Sequence, residues 1–402
     1  MSIHRKKLHL LIGGKKAFKK IFKNIRKAKK SVYINVHVWR DDFIGNKMAT
    51  MLLRAADRGV QVTIVKDQLG AVAEFGDRNN QSFFNKNIYR KNLKLYLLSI
   101  ASLYFYSKRF IFRSYPFQKE NKLYKRLLEH PNIKLFTDQE LNDHSKFYIF
   151  DLQKLILGGI NIGDEYYKTW HDYMVMLDNP ELVQRFIKRL KGLGSNDRCP
   201  IDFIVDTQTS SHIREKFLEL IRGAREKMSI EMSYFTDYVF ADELIRASQR
   251  GINVEIIMPL KADVVDNLNK TIINYLFKRT TENLTIYFYP KMIHAKLMFI
   301  DDEITFLGSA NLTQYTSGRI LEANILVNDR EAPFTKKLKK QLEEDKRHAF
   351  LISREQKIPC SSLRALAESS YIEQDSNYPH KSRLVSVISS LEQGIRRLYF
   401  EG

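Results

Sequence analysis

His144-Ser145-Lys146-Phe147-Tyr148-Ile149-Phe150-Asp151, followed by Gly158-Gly159-Ile160-Asn161 and by Asp172, is one copy of a pattern that the chain carries twice. The other copy is His294-Ala295-Lys296-Leu297-Met298-Phe299-Ile300-Asp301, followed by Gly308-Ser309-Ala310-Asn311 and by Glu322. Each matched pair lies 150 positions apart: 144 and 294, 146 and 296, 151 and 301, 159 and 309, 161 and 311, 172 and 322. Polar and small positions holding one offset point to two similar units, each supplying half of one site.

Read as strands, the two copies put His and Lys on one face, because residues two apart project to the same side. Burying such a face is costly without an anion to satisfy it. Two such strands, each with matched downstream residues, imply a shared anion. The residue types define the chemistry. A neutral imidazole can attack phosphorus, and a second, protonated one can hand a proton to the departing alkoxide. Lys146, Lys296, Asn161 and Asn311 supply donors to non-bridging phosphate oxygens. Asp172 and Glu322, each 28 residues after a His, are the candidates for carboxylates that fix the imidazole tautomers. Gly158, Gly159 and Gly308, with Ser309, would let backbone approach the phosphate. The lysines can neutralise charge without a metal, and no Cys or His cluster has zinc spacing; no cofactor is expected. Asp151 and Asp301 are candidate catalytic groups too, though Asp also favours strand ends and turns. The other histidines, His37 and His171 among them, lack such context and are assigned no role. Trp170 reads equally well as sheet packing.

This constellation resembles the phospholipase D superfamily, whose mark is His-x-Lys-x4-Asp followed by Gly-Gly or Gly-Ser and then Asn. Both copies match it, and the resemblance covers about residues 8–350. It implies two α/β/α domains with mixed sheets, related by a pseudo-twofold axis, with the active site at their interface. It also implies that a two-motif chain can be complete as a monomer. Within the superfamily, residues 158–166 with Trp170-His171-Asp172 look like bacterial cardiolipin synthases. That likeness implies phosphatidyl transfer between phosphatidylglycerol molecules, with His144 as nucleophile and His294 as general acid, then base. The chain departs from those synthases at Ser145, where Arg is usual, and at Gln314-Tyr315-Thr316-Ser317, where an Arg-Ser pair is common. It also lacks their N-terminal membrane helices. These departures bear on the acceptor rather than on the phosphate chemistry.

Composition fits. The 402 residues suffice for two ordinary domains, and 44% hydrophobic content supports real cores. Two cysteines, Cys199 and Cys360, argue against a disulfide scaffold. The apolar run 8–12 is too short for a secretory leader, and no stretch approaches the roughly 18 apolar residues of a span. A net charge of +20, with twelve Lys or Arg and no acid in the first thirty residues, asks for an anionic partner. Anionic phospholipid at a membrane surface is favoured over nucleic acid. The expected location is the cytoplasm, peripheral on the inner face of the cell membrane.

Along the chain, a strand at 8–12 precedes a helix over 15–30. Its apolar stripe is Phe18, Ile21, Phe22, Ile25 and Ala28, and lysines fill the opposite face. A strand at 31–39, a helix at 45–58 and a strand at 60–65 follow, an order that implies a largely parallel sheet. The second half repeats this with a helix at 213–227, strands at 229–234 and 254–258, and a helix at 241–250. Ala55 to Val60 parallels Ala247 to Ile252 at an offset of 192 rather than 150. The first half therefore holds an insertion of 192−150, or 42, residues, placed within about 72–130. Its uncharged aromatic centre, flanked by Lys and Arg over 91–117, suits either a membrane interface or a buried hairpin. The expected domains are 1–195 and 196–350, joined at the Gly192–Pro200 linker, with a partly helical tail over 351–402. Alternative activities are a lipid hydrolase on the same site, a phosphodiesterase acting on nucleic acid, and a membrane-binding module without catalysis.

Overall fold

A computed structural model describes residues 7–67, 70, 74, 82–84, 121–137, 143–194, 199–207, 211–280, 282–313, 320–354 and 358. The aromatic stretch at 91–117, residues 314–319 and nearly all of the tail fall outside the described residues.

Two sheets carry the molecule. The first contains β1 (Leu8–Ile12), β2 (Ser31–Val36), β3 (Gln61–Lys66), β4 (Ile133–Phe136), β5 (Phe147–Phe150), β6 (Lys154–Gly158) and β7 (Tyr173–Asp178), in the order β1-β7-β6-β5-β2-β3-β4. The second contains β8 (Ile201–Val205), β9 (Lys227–Met232), β10 (Asn253–Pro259), β11 (Leu284–Tyr289), β12 (Lys296–Ile300), β13 (Ile304–Gly308) and β14 (Ala323–Asn328). Its order, β8-β14-β13-β12-β9-β10-β11, repeats the first strand for strand, and the short β15 (Phe350–Leu351) adds to β11. The internal duplication is therefore topological. The sheets are mixed rather than largely parallel: only β2–β3–β4 and β9–β10–β11 run parallel. The strands after each parallel trio return as antiparallel hairpins, which strand–helix–strand order alone does not reveal.

Helices α1 (Gly14–Lys27) and α2 (Phe43–Asp57) cover the outer face of the first sheet. On α1, Phe18, Ile21, Phe22 and Ile25 are buried while Lys15, Lys16, Lys19 and Lys23 face outward, as the 3.6-residue stripe requires. The counterparts in the second half are α3 (Ile213–Gly223) and α4 (Tyr238–Gln249). α2 and α4 start alike: Asp42 accepts from the Gly45 amide, and Asp237 from the Val239 amide. Both first helices stop short of the expected ends at Lys30 and Lys227. The amides of Lys29, Lys30 and Ser31 are taken by the Asp151 carboxylate, and those of Arg225, Glu226 and Lys227 by Asp301.

The inner faces of the two sheets meet. Phe147, Ile149, Leu157 and Val175 of the first share one core with Phe203, Leu297, Phe299 and Ile325 of the second. Two helices close its flanks crosswise. Helix α5 (Pro180–Leu190) leaves the first sheet and packs on β8; α6 (Pro333–His348) leaves the second and packs on β1, where Lys337 Nζ donates to Leu10 O at 2.8 Å. A shared core of this kind fixes the halves relative to one another, which a site built between them demands.

Candidate active site

The site lies where β5 and β12 begin. His144 and Lys146 sit just before β5, and Lys296 is the first residue of β12, so each His-x-Lys unit is an arm at the entry to its strand. The arms cross. His144 N donates to Leu321 O at 2.8 Å, and His294 N donates to His171 O at 2.7 Å. Leu321 and His171 each precede an acidic residue, so each arm is zipped to the acid-bearing segment of the other half. The imidazoles follow. His144 Nδ1 is 3.0 Å from Glu322 Oε1, and His294 Nδ1 is 2.8 Å from Asp172 Oδ2. With Nδ1–H donated to a carboxylate, Nε2 keeps its lone pair for chemistry. Equal spacing along the chain does not say which acid meets which histidine; the fold pairs them across the halves.

The electrostatics are those of an anion site. Lys146 and Lys296 are essentially fully buried. Burial pulls Lys146 down to about 7 and Lys296 to about 8, partly opposed by Glu322 and Asp172 respectively. Burial, with Lys146 and Lys296 as the nearest cations, also holds His144 and His294 well below their ordinary range. Each arm's charges act on the other: Lys146 and His144 both depress His294. Burial raises Asp172 to about 7 and raises Glu322 as well. Two crowded, desolvated lysines beside two neutral imidazoles favour a bound phosphate.

The small residues serve a different neighbour from the one expected. A Cβ on Gly159 would stand 2.6 Å from both Asp172 carboxylate oxygens, and one on Gly308 would meet Asn324 Oδ1 at 2.2 Å. Gly159 makes room for the acid beneath His294. Ser309 receives the Ala323 amide on Oγ at 3.0 Å, beside Glu322. Asn161 Oδ1 accepts from Val38 N at 3.0 Å, and Asn311 Oδ1 from Ser233 Oγ at 3.0 Å; both are buried at the ends of β2 and β9. Lys296 Nζ donates to the same Ser233 Oγ at 2.7 Å.

Asp151 and Asp301 are not brought to the site. Each follows the far end of its strand, at a corner where the first turn residues, Asp151 and Leu152 or Asp301 and Asp302, all take positive φ. Their carboxylates cap the backbone amides that precede β2 and β9.

Several residues at the site were assigned no role from the sequence. Tyr166 and Trp170 place ring centroids 5.2 and 5.3 Å from the His294 ring, and Tyr234 stands 6.3 Å away. Trp170 thus contacts a site histidine. His171 lies between halves: Nε2 is 3.1 Å from Asp345 Oδ2, 3.6 Å from Glu231 Oε2 and 3.0 Å from the Tyr173 hydroxyl. Burial opposes its charge, but the two carboxylates win and raise it to about 10. This ion cluster ties the Asp172 segment to β9 and α6. Among the described residues it is the group of His and acid side chains close enough to hold a cation; the imidazolium already occupies that place. His37 stands edge-on to His144 with ring centroids 4.8 Å apart. A rule available from sequence could have pointed there: ligands gather beyond the carboxyl ends of parallel strands, and His37 follows β2.

Two repeated sheets holding two crossed His–acid pairs over buried lysines make a two-headed phosphodiester site. The family described as "Cardiolipin synthase, PLD-like domain" matches residues 21–193 and again 217–346, and the chain belongs to that branch of the phospholipase D superfamily. Cardiolipin synthase B of Escherichia coli K12 is 24% identical over 356 residues, covering 81% of this chain and 77% of that protein. The major cardiolipin synthase of Bacillus subtilis is 24% identical over 374 residues, covering 86% and 69%. Among solved structures, a phosphatidylserine synthase from Haemophilus influenzae matches 98% of this chain and 94% of its own, with TM-score 0.65 and 13% identity, a likeness of fold.

Proposed function

We propose that the chain is a phosphatidyltransferase of the cardiolipin synthase type, acting on anionic phospholipid at a membrane surface. The crossed pairs, His144–Glu322 and His294–Asp172, carry this reading. They supply two imidazoles in matched tautomers, close enough that Lys296 bears on His144 and both Lys146 and His144 bear on His294.

In the first step, His144 Nε2 attacks phosphorus of phosphatidylglycerol; the P–N bond forms as the P–O bond to the glycerol head group breaks. The negative charge of the bound phosphodiester brings a proton onto His294 Nε2, and His294 gives that proton to the departing alkoxide while Asp172, holding Nδ1–H, supports the imidazolium. In the second step, an acceptor hydroxyl returns its proton to His294 as its oxygen displaces Nε2 from phosphorus. Lys146 and Lys296 hold the non-bridging oxygens throughout. The assignment of His144 as nucleophile matches its greater openness: its side chain is 18% exposed, against 4% for His294 under its aromatic cover. The more open histidine can carry the lipid-sized covalent group.

The relatives' names give cardiolipin as the product to expect, and a second phosphatidylglycerol is an acceptor that would make it. The outward lysines of α1 suit an anionic surface, and among the described residues no helix is long and apolar enough to cross a membrane. Mass spectrometry of purified protein with phosphatidylglycerol vesicles tests the reading. Cardiolipin plus glycerol is the expected product pair. Phosphatidic acid without cardiolipin identifies a hydrolase, and no lipid turnover refutes the proposal.

A further inference from the structure

The two catalytic imidazoles obey the pseudo-twofold; a third breaks it. His37 Nδ1 lies 3.2 Å from Asp67 Oδ1 and 3.3 Å from Asp143 O. Both are oxygen acceptors, so Nδ1 donates and Nε2 is the ring nitrogen left for a ligand. Asp67 is fixed in turn, accepting from Asp143 N at 2.8 Å and Gly70 N at 2.9 Å. This is the same imidazole–carboxylate unit as the two at the reaction centre, and it stands against one of them. His37 also bears on Glu322 and on both catalytic imidazoles. Its side chain is 16% exposed, and among the described residues Nε2 has no hydrogen-bond partner.

The second half does not repeat it. Trp39 bridges Ile162 as Phe235 bridges Leu312, so two residues upstream the counterpart of His37 is Ser233. Ser233 is spent on Lys296 and Asn311. Symmetric phosphoryl chemistry needs the two shared imidazoles only. An oriented third imidazole on one wall suits the part of the substrate that is not symmetric: the hydroxyl-bearing head group.

We propose that His37 is a head-group-binding residue, its Nε2 hydrogen-bonded to a hydroxyl of a glycerol-type head group. The inference rests on the phosphatidyl-transfer reading and adds a specificity determinant to it. His37→Phe keeps an aromatic ring against His144 and removes the hydrogen-bonding nitrogen. Losing one such bond raises KM for phosphatidylglycerol about tenfold, with kcat less affected, and shifts product from cardiolipin toward phosphatidic acid. His37→Gln, which retains an oxygen acceptor, recovers part of both. Unchanged KM and product ratio in a folded His37→Phe variant overturn the proposal. So does loss of the covalent phosphohistidine label, which would mean that His37 acts through His144. Imidazole nitrogen NMR with soluble glycerophosphoglycerol reads the contact without turnover: the His37 Nε2 resonance moves on titration, and a still resonance refutes it even where lipid transfer holds. Failure of the wild type to make cardiolipin, with that resonance moving, overturns the transfer reading and leaves the contact.

Discussion

His144 of the first half is oriented by Glu322 of the second, with Nδ1 3.0 Å from Oε1, while His294 leans on Asp172 of the first half at 2.8 Å. Neither half therefore completes the pair of its own His-x-Lys histidine by itself. The two exchanges are separable by kinetics. If His144 attacks, as proposed, Glu322→Gln disturbs the attacking imidazole and is expected to slow appearance of the covalent intermediate. Asp172→Asn disturbs the proton carrier and is expected to slow both head-group departure and resolution. Each should cost roughly 10²- to 10⁴-fold in kcat. Rapid-quench labelling with phosphorus-labelled donor checks this. Label that accumulates normally in Glu322→Gln and vanishes in Asp172→Asn would reverse the assignment of nucleophile and acid.

Gly159 offers a steric test of the same relationship. A methyl group there would stand 2.6 Å from both oxygens of Asp172, so Gly159→Ala must push the carboxylate off His294. The expected result is a folded protein with kcat reduced about 100-fold, close to the Asp172→Asn value. The Gly159→Ala/Asp172→Asn double variant should lose little beyond either single change. Additive losses would mean that the glycine serves the phosphate rather than the acid.

The buried lysines predict the alkaline limb of the pH profile. Desolvation lowers Lys146 to about 7 and Lys296 to about 8 in the free enzyme. Their protonated forms hold the phosphate, so raising pH through these values removes binding charge and kcat/KM falls. A bound phosphate restores the proton by supplying the missing counter-charge, so kcat should fall at higher pH than kcat/KM. Steady-state rates between roughly pH 6 and pH 10 settle it. Parallel limbs in both parameters would mean that the lysines titrate alike with and without substrate.

Much of this architecture could be read from the chain, and the gaps have physical causes. The duplicated His-x-Lys spacing located both halves of the site, since chemistry fixed those residues one by one. The apolar stripe of α1 was legible because Phe18, Ile21, Phe22 and Ile25 recur at helical period. Helix ends were not, because Asp151 and Asp301 claim the amides from over 70 residues away. The crossing of the acids was invisible for a related reason: equal offsets cannot say which arm zips to which. His37 and His171 stayed silent because their partners, Asp67, Glu231 and Asp345, come from other strands and helices.

The repeated spacing of Asp151 and Asp301 after each lysine is expected to serve folding, and this can be separated from catalysis. Each carboxylate gathers three backbone amides at a corner. Burial alone would raise their pKa, but the amides outweigh it and lower both. A carboxylate with a depressed folded pKa stabilises above its unfolded value, and that contribution is lost as pH falls through the folded one. Asp301, only 3% exposed, should matter more than the half-buried Asp151. Asp301→Asn is expected to cost about 2 kcal/mol and Asp151→Asn about 1 kcal/mol of stability near neutral pH. The difference from wild type should shrink in acid, and kcat at a temperature where the variant is folded should hardly move. Denaturant titration at neutral and acid pH, run beside the vesicle assay, distinguishes the roles. A stable Asp301→Asn variant that had lost its turnover would return this carboxylate to the chemistry.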